Sequence, residues 1–334
     1  MQEQHITLAH GNGGRFMREL IEQLFARHLA SPGLDTHSDA ASVQLPAGEI
    51  LMSTDGFTVK PLQFPGGDIG SLCVHGTCND IAVAGGDPIH LTLNAFIEEG
   101  MPVTQLEQLV ASIGVAANES GVQIVAGDTK VVPHGEGSGV YFATTGVGVR
   151  PTGVLLGMDR IREGDQLLVS GPVGDHGTCV MLAREEFGLR GDLLSDAASV
   201  LPLTRAIREL PGVRFMRDPT RGGLATVCHE IVHASGLEVV LDGPAIPVRE
   251  PVQSVCDMLG YDPLFLACEG RVVAITDRDS ADQVLALWHE LPGGAAAARI
   301  GHLATGKPRV VIETELGGRR ILEELQDDPL PRIC

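Results

Sequence analysis

Carboxylates, one lysine and a terminal thiol hold what chemistry this chain offers, and the thiol is the most telling of them. Cys334 closes the run Pro331-Arg332-Ile333-Cys334, with no fold downstream for it to support. Termini are poorly ordered unless docked, and Pro329 and Pro331 favour an extended path that holds the sulfur away from the body. A thiol on a movable arm suits a group carrier, which picks up a fragment at one place and presents it at another. In the first half, acids stand where strand-like or helix-like segments end: Asp55 in Ser53-Thr54-Asp55-Gly56, Asp80 in Asn79-Asp80, and Asp128 in Gly127-Asp128-Thr129-Lys130. Hard divalent cations such as Mg²⁺ take oxygen ligands and bridge carboxylates to nucleotide phosphates. Each acid alone reads as a turn former; the three together point to one or two ions. Lys130 suits a phosphate as a point charge.

The run His10-Gly11-Asn12-Gly13-Gly14 lets backbone N–H groups approach an anion at the start of a helix. In the second half, Gly174-Asp175-His176-Gly177 and Arg217-Asp218-Pro219-Thr220-Arg221-Gly222-Gly223 each run from a strand-like segment into a helix, with Arg217 and Arg221 as candidate anion contacts. Glu269 follows an apolar stretch. Desolvation there would raise its pKa and make it a better general base near neutral pH.

Other chemistry is excluded. Neither G-x-x-x-x-G-K-[ST] nor a good G-x-G-x-x-G after an early strand occurs, which argues against a P-loop or Rossmann site. Cys73 and Cys78 flank His75, but no C-x-x-C exists, so these two, with Cys179, Cys228 and Cys256, read as small buried residues rather than zinc ligands. Seven scattered cysteines make no disulfide framework. A formal net charge of −19, from 24 Lys+Arg against 43 Asp+Glu, argues against nucleic acid as partner. No apolar run reaches the roughly 18 residues of a membrane span, and Met1-Gln2-Glu3-Gln4-His5 lacks signal-peptide character. The expectation is a soluble, cytoplasmic protein.

Positioning those residues takes an α/β framework. Apolar spacing predicts helices over 16–29, 69–84, 104–119, 177–186, 222–234 and 281–290. Strands are expected over 50–54, 91–97, 123–126, 140–149, 166–170, 237–241, 264–267, 271–276 and 309–313. The interleaving implies two α/β domains of similar size, and 334 residues suffice for two cores. The turn-rich stretch 151–162 marks the boundary. The division is 1–155 for an N-terminal α/β domain, 156–322 for a C-terminal α/β domain, and 323–334 for a flexible tail carrying Cys334.

Taken together, these motifs resemble the hydrogenase-maturation carbamoyl dehydratases, HypE, over nearly the whole chain. The segments that carry the resemblance are 10–14, 53–56, 79–82, 127–131, 174–177, 217–223 and the terminal Pro331-Arg332-Ile333-Cys334. The internal ones are shared with the aminoimidazole ribonucleotide synthetase and selenophosphate synthetase superfamily. The terminal one singles out the dehydratases. Cys78 departs from the pattern, where an aliphatic residue is expected before Asn-Asp.

The resemblance implies ATP in a cleft between two α/β domains, near the interface of a homodimer built on the N-terminal sheet. It implies that a carbamoyltransferase, HypF, loads a carbamoyl group onto Cys334. The S-carboxamide is then dehydrated to a thiocyanate, and the cyano group passes to a HypC–HypD complex as a cyanide ligand of nickel-iron hydrogenase. An amide oxygen is a poor leaving group; phosphorylating it with ATP, then losing phosphate and the N–H protons, leaves a nitrile. On that reading Asp55, Asp80 and Asp128 hold Mg²⁺, and Gly11, Asn12, Gly13, Gly14, Thr129 and Arg221 help hold the nucleotide. Lys130 stabilises the γ-phosphate or the amide oxygen, and Glu269, with His176 as second choice, takes the protons. The alternatives are a small-molecule ATP-dependent synthetase of the same superfamily, of selenophosphate or aminoimidazole ribonucleotide type, and a scaffold with a vestigial ATP site. No Cys lies near the N-terminal glycine loop to support selenophosphate chemistry, and aminoimidazole synthesis leaves Cys334 idle.

Overall fold

The computed structural model describes residues 3–31, 33–34, 36, 40–184 and 191–325. From the glycine run the chain enters α1 (Arg15–Leu20), passes through a π-helical turn (Ile21–Phe25) and ends in α2 (Ala26–His28). Next come β1 (Glu49–Phe57), the short β2 (Gln63–Phe64) and β3 (Gly67–Asp68), α3 (Ile69–Val83), β4 (Asp87–Glu98), α4 (Val103–Ser120), β5 (Gln123–Val132) and β6 (Val140–Arg150). The four long strands form one sheet in the order β1-β6-β4-β5, with β4 and β5 parallel and the other neighbours antiparallel.

Helix α3 decides how this half is built. Asp68 caps it, accepting the Ser71 N–H at 2.9 Å. Of its residues only Ser71 and Asp80 are not buried. Two glycines permit that depth. A Cβ on Gly70 would stand 2.3 Å from the Leu109 carbonyl oxygen of α4, and one on Gly76 would meet the Phe57 ring at 2.8 Å. Helix α4 carries Leu106, Leu109, Val110 and Ile113 on its buried face and stops at Gly121, whose φ is +67°.

Strand alternation gives the sheet two unlike faces. On β1, Leu51, Ser53, Asp55 and Phe57 turn toward α3, while Ile50, Met52, Thr54 and Gly56 are exposed on the far side. Register carries that outer row across the sheet: Gly56 lies opposite Ala143, which lies opposite Asn94, which lies opposite Asp128.

After the strand-free stretch 151–165, the second half holds β7 (Gln166–Val169), α5 (Asp175–Ala183), α6 (Leu201–Ile207), β8 (Val213–Arg217), α7 (Gly223–Ser235) and β9 (Glu238–Asp242). It continues with α8 (Glu250–Leu259), β10 (Val273–Thr276), α9 (Ala281–His289), β11 (Ala298–Ala304), β12 (Val310–Glu313) and β13 (Arg319–Leu322). Seven strands pair in the order β13-β12-β9-β11-β7-β10-β8, all antiparallel except β9 with β12. Helix α7 packs on one face; α6 and α9 cover the other around the buried Trp288. The mixed α/β class agrees with the sequence.

Segment 264–267 does not. It holds a 3-10 turn (Pro263–Phe265), because Asp262 accepts the Leu264 N–H at 3.0 Å and Pro263 lacks a ladder donor. The two halves share apolar clusters: Ala82 and Val83 of α3 pack with Val200 and Leu201, and Cys179 and Val180 of α5 pack with the first domain's core. Asp87 at the start of β4 is paired by Arg208 at 2.9 Å and by Arg205 at 2.6 Å. Among the described residues no helix is long and apolar enough to cross a membrane.

Candidate active site

A cleft opens where the end of β1, Asp80 of α3 and two turns of the second half converge. Its volume is about 350 Å³, and Asp55, Asp80, Asp218, Arg221 and Glu269 are among its walls. Each acid arrives by a different route. Asp55 points inward because it is two residues from Phe57 on the α3 side of β1. Asp80 sits a turn before the end of α3, where Ser53 Oγ donates to its carboxylate. Asp218 follows directly on β8, and Glu269 lies in the turn before β10. A second lobe of about 410 Å³ shares Asp80, Arg217 and Asp218 and is faced by Met52, Leu156, Phe215 and Met216. The acids therefore stand between a polar lobe and a more apolar one.

These carboxyls repel one another. Burial, then Asp80, raises Asp55 from 3.8 to about 6, with Arg221 opposing. Burial, Asp80 and Asp55 raise Asp218 to about 7 against the pull of Arg217. Glu269, only 4% exposed, is pushed well above the carboxylate range by burial and then by Asp218, Asp196, Asp55 and Asp80. Arg217 is itself engaged by Glu230 at 3.3 Å. The cluster is short of positive charge, which fits a cation bound together with phosphate. Among the described residues no group of three or more His, Cys, Asp or Glu is spaced to hold a metal ion unaided. Phosphate oxygens and waters would have to complete such a shell, as they commonly do for Mg²⁺.

The residues singled out in the sequence fall into two groups. Asp55, Asp80, Arg221 and Glu269 meet in the cleft. Asp128 and Lys130 project from the outer face of the same sheet, paired to each other at 2.9 Å and both about half exposed. Asp128 is three strands from Gly56, about 14 Å at the usual strand spacing. Asp128 Oδ1 accepts the Thr129 N–H at 2.9 Å. The glycine run belongs with this second group, since a Cβ on Gly11 would stand 2.9 Å from the Val131 nitrogen of β5; Asn12, Gly13 and Gly14 follow it into α1. Within one chain, then, Asp128, Thr129, Lys130 and the glycine run do not join Asp55 and Asp80.

His176 is fully buried on α5, with Nδ1 2.8 Å from Ser195 Oγ and its ring edge-on to Phe64 at 5.4 Å. It does not line the cleft. Cys334 lies outside the described residues, which end at Leu325. Glu324 pairs with His233 of α7 at 3.1 Å, and Leu325 Cδ1 lies 3.8 Å from where a Cβ on Gly222 would stand. Gly222 is the neighbour of Arg221, so the described chain runs to its last residue, Leu325, at the rim of the cleft. Asp218 is the acid that sequence reasoning passed over. It sits inside a motif read for its arginines, and only the neighbouring Pro219, which fixes the turn, hinted that it faces inward.

Two family descriptions cover most of the chain: "AIR synthase related protein, N-terminal domain" over residues 37–150 and "AIR synthase related protein, C-terminal domain" over 162–313. The chain is 46% identical over 331 residues to carbamoyl dehydratase HypE of Azotobacter vinelandii, covering 98% of this chain and 97% of that one. Its structure superposes on that of a hydrogenase maturation protein HypE in complex with ATP with a TM-score of 0.93, at 44% identity, over 98% of this chain and 99% of the other. It also superposes on a chain of a HypE–HypF complex, with a TM-score of 0.81 and 41% identity over 92% and 99% of the two chains.

Proposed function

This chain belongs to the HypE family of carbamoyl dehydratases, and from that premise we propose that it uses ATP to dehydrate an S-carboxamide on Cys334 to a thiocyanate, the source of cyanide ligands for nickel-iron hydrogenase. One observation carries the reading: a cleft of mutually repelling buried carboxyls lies beside the point from which the segment ending in Cys334 departs. Nine residues, 326–334, extend at most about 30 Å, enough for the thiol to enter its own cleft.

With Mg²⁺ and ATP bound, the nucleotide supplies the phosphoryl group that turns the carboxamide oxygen into a leaving group. The cleft's own residues do the rest. Asp55, Asp80 and Asp218 would hold the cation, and Arg217 and Arg221 would meet phosphate charge. The apolar lobe against Met52, Leu156 and Phe215 takes the nucleoside. Glu269 accepts a proton from the carboxamide nitrogen. In the cation-free cleft, burial and the neighbouring carboxyls favour its protonated form; positive charge beside it would favour the carboxylate, so loading the site would free the base. The stoichiometry is one ATP and one S-carboxamide giving one thiocyanate, ADP and phosphate.

Lys130 and Asp128 enter from a second copy. The outer sheet face exposes Ile50 and Phe96, apolar side chains suited to covering by its own likeness in a homodimer. In that dimer each copy's Lys130 and glycine run complete the partner's cleft. HypF is the carbamoyl donor, in keeping with the relative captured with HypF. A HypC–HypD complex accepts the cyano group, and the reaction takes place in the cytoplasm.

The test is intact mass of the C-terminal peptide after incubation with HypF, carbamoyl phosphate and ATP. The proposal expects the thiol hydrogen of Cys334 to be replaced by a cyano group, and none in Cys334→Ala. An unmodified wild-type peptide sinks the reading.

A further inference from the structure

Asn79 lies one residue before Asp80, is 1% exposed and faces the other domain. Its amide is fully engaged there. Oδ1 accepts the Val200 N–H at 2.9 Å, while Nδ2 donates to the Ala198 carbonyl at 3.0 Å and to the Glu269 carbonyl at 3.2 Å. The turn it reaches is held from its other side too. Asp196 accepts the N–H groups of Glu269 at 3.2 Å and Gly270 at 3.3 Å, and Gly270 has no room for a Cβ, which would stand 1.9 Å from the Asp196 carbonyl oxygen. Thus the turn bearing Glu269 rests on segment 196–200, and one side chain of α3 grips both. No other residue type of this size offers one acceptor and two donors in that plane.

We propose that Asn79 is a positioning residue for the dehydration, fixing the Glu269 turn against the helix that carries Asp80 so that proton acceptor and cation-holding acid keep one register across the domain boundary. This rests on the function proposed above. Asn79 touches neither nucleotide nor carboxamide; it acts through the backbone of Glu269. A misplacement of about 1 Å in a reacting group costs about a hundredfold in rate, whereas cation and nucleotide contacts lie on Asp55, Asp80 and Asp218, of which two belong to the domain that Asn79 itself occupies.

Asn79→Asp keeps the acceptor and loses both donors; Asn79→Ser keeps a smaller hydroxyl and serves if the aspartate does not fold. Thermal melting, Mg–ATP affinity, the rate of thiocyanate formation on Cys334 and ADP released per thiocyanate are measured together. We expect Mg–ATP affinity within about threefold of wild type, dehydration slowed about thirtyfold or more, and ADP per thiocyanate rising above one as water competes for activated carboxamide. A folded variant dehydrating at the wild-type rate overturns the inference. So does a fall in affinity and melting temperature that tracks the fall in rate, and so does failure of both variants to fold, since each marks a merely structural role. If wild-type protein forms no Cys334 adduct or thiocyanate, the function is wrong, an outcome separate from any of these.

Discussion

Burial beside Asp80 and Asp55 moves the Asp218 carboxyl from 3.8 to about 7. A folded-state pKa above the unfolded one favours the protonated form, so the associated loss of stability is absent in acid, sets in above pH 4 and is complete above pH 7. The full effect corresponds to about 4 kcal/mol. Asp218→Asn should therefore melt higher than wild type at pH 8 without ligand, with the gap closing toward pH 4, and should lose Mg–ATP binding in calorimetry. A melting temperature that falls at pH 8 would show the carboxylate to be stabilising instead. Glu269→Gln is expected to bind Mg–ATP and accept the carbamoyl group, then stall; mass spectrometry of the Cys334 peptide should find the carboxamide accumulating. Prompt thiocyanate formation would remove Glu269 from the role of base. Asp55 and Asp80 were singled out as acids near the ends of a strand and a helix, and Glu269 for following an apolar stretch; the three line one cleft. Asp218 was hidden, since charge reading favoured the arginines flanking it, and side-chain direction within a turn has no periodic signature.

At the scale of elements, α3 couples the site to the core. Gly70→Ala would press a methyl into the Leu109 carbonyl, and we expect a loss of about 1–3 kcal/mol in urea unfolding with the m-value unchanged. Unaltered stability would mean that α4 shifts freely. Helix α4 and the long strands were readable from apolar period, because each has one face against a deep core, and α3 from its unbroken length of apolar and small residues, because it is buried almost all round. Strands β8, β11 and β13 and helices α6 and α8 escaped. The first three mix charged and apolar residues without clean alternation, as in Val213–Arg217 and Arg319–Leu322. The helices α6 and α8 carry prolines in their first turns, which read as breakers but are tolerated there. The apolar run 264–267 was read as a strand for its apolar residues alone; only the Asp262-Pro263 pair told against it.

For the whole molecule, the sheet's two faces set the arithmetic of assembly. Their common place at element ends in the first half grouped Asp55, Asp80 and Asp128 as one set, and strand pairing sets Asp128 apart from the other two, a fact no single chain's motif spacing contains. Ile50→Asp, on the outer face of β1, should yield monomers by light scattering that have lost dehydration. An active monomer would refute completion by a second copy. Mixing folded Asp55→Asn and Lys130→Ala chains, each inactive alone, should restore about a quarter of wild-type activity, since half the random dimers are mixed and each has one intact cleft. No recovery would place Lys130 in its own chain's site.

The departure of the last segment beside Gly222 has a kinetic meaning. If Cys334 serves that cleft as proposed, a thiol tethered about nine residues from its mouth would stand there at an effective concentration in the millimolar range, and entry would require almost no intrinsic affinity. Lengthening the tether twofold dilutes it only about threefold, by the −3/2 power of length. Supply of carbamoyl groups by the donor, rather than capture of the loaded thiol, would then set the pace of the cycle.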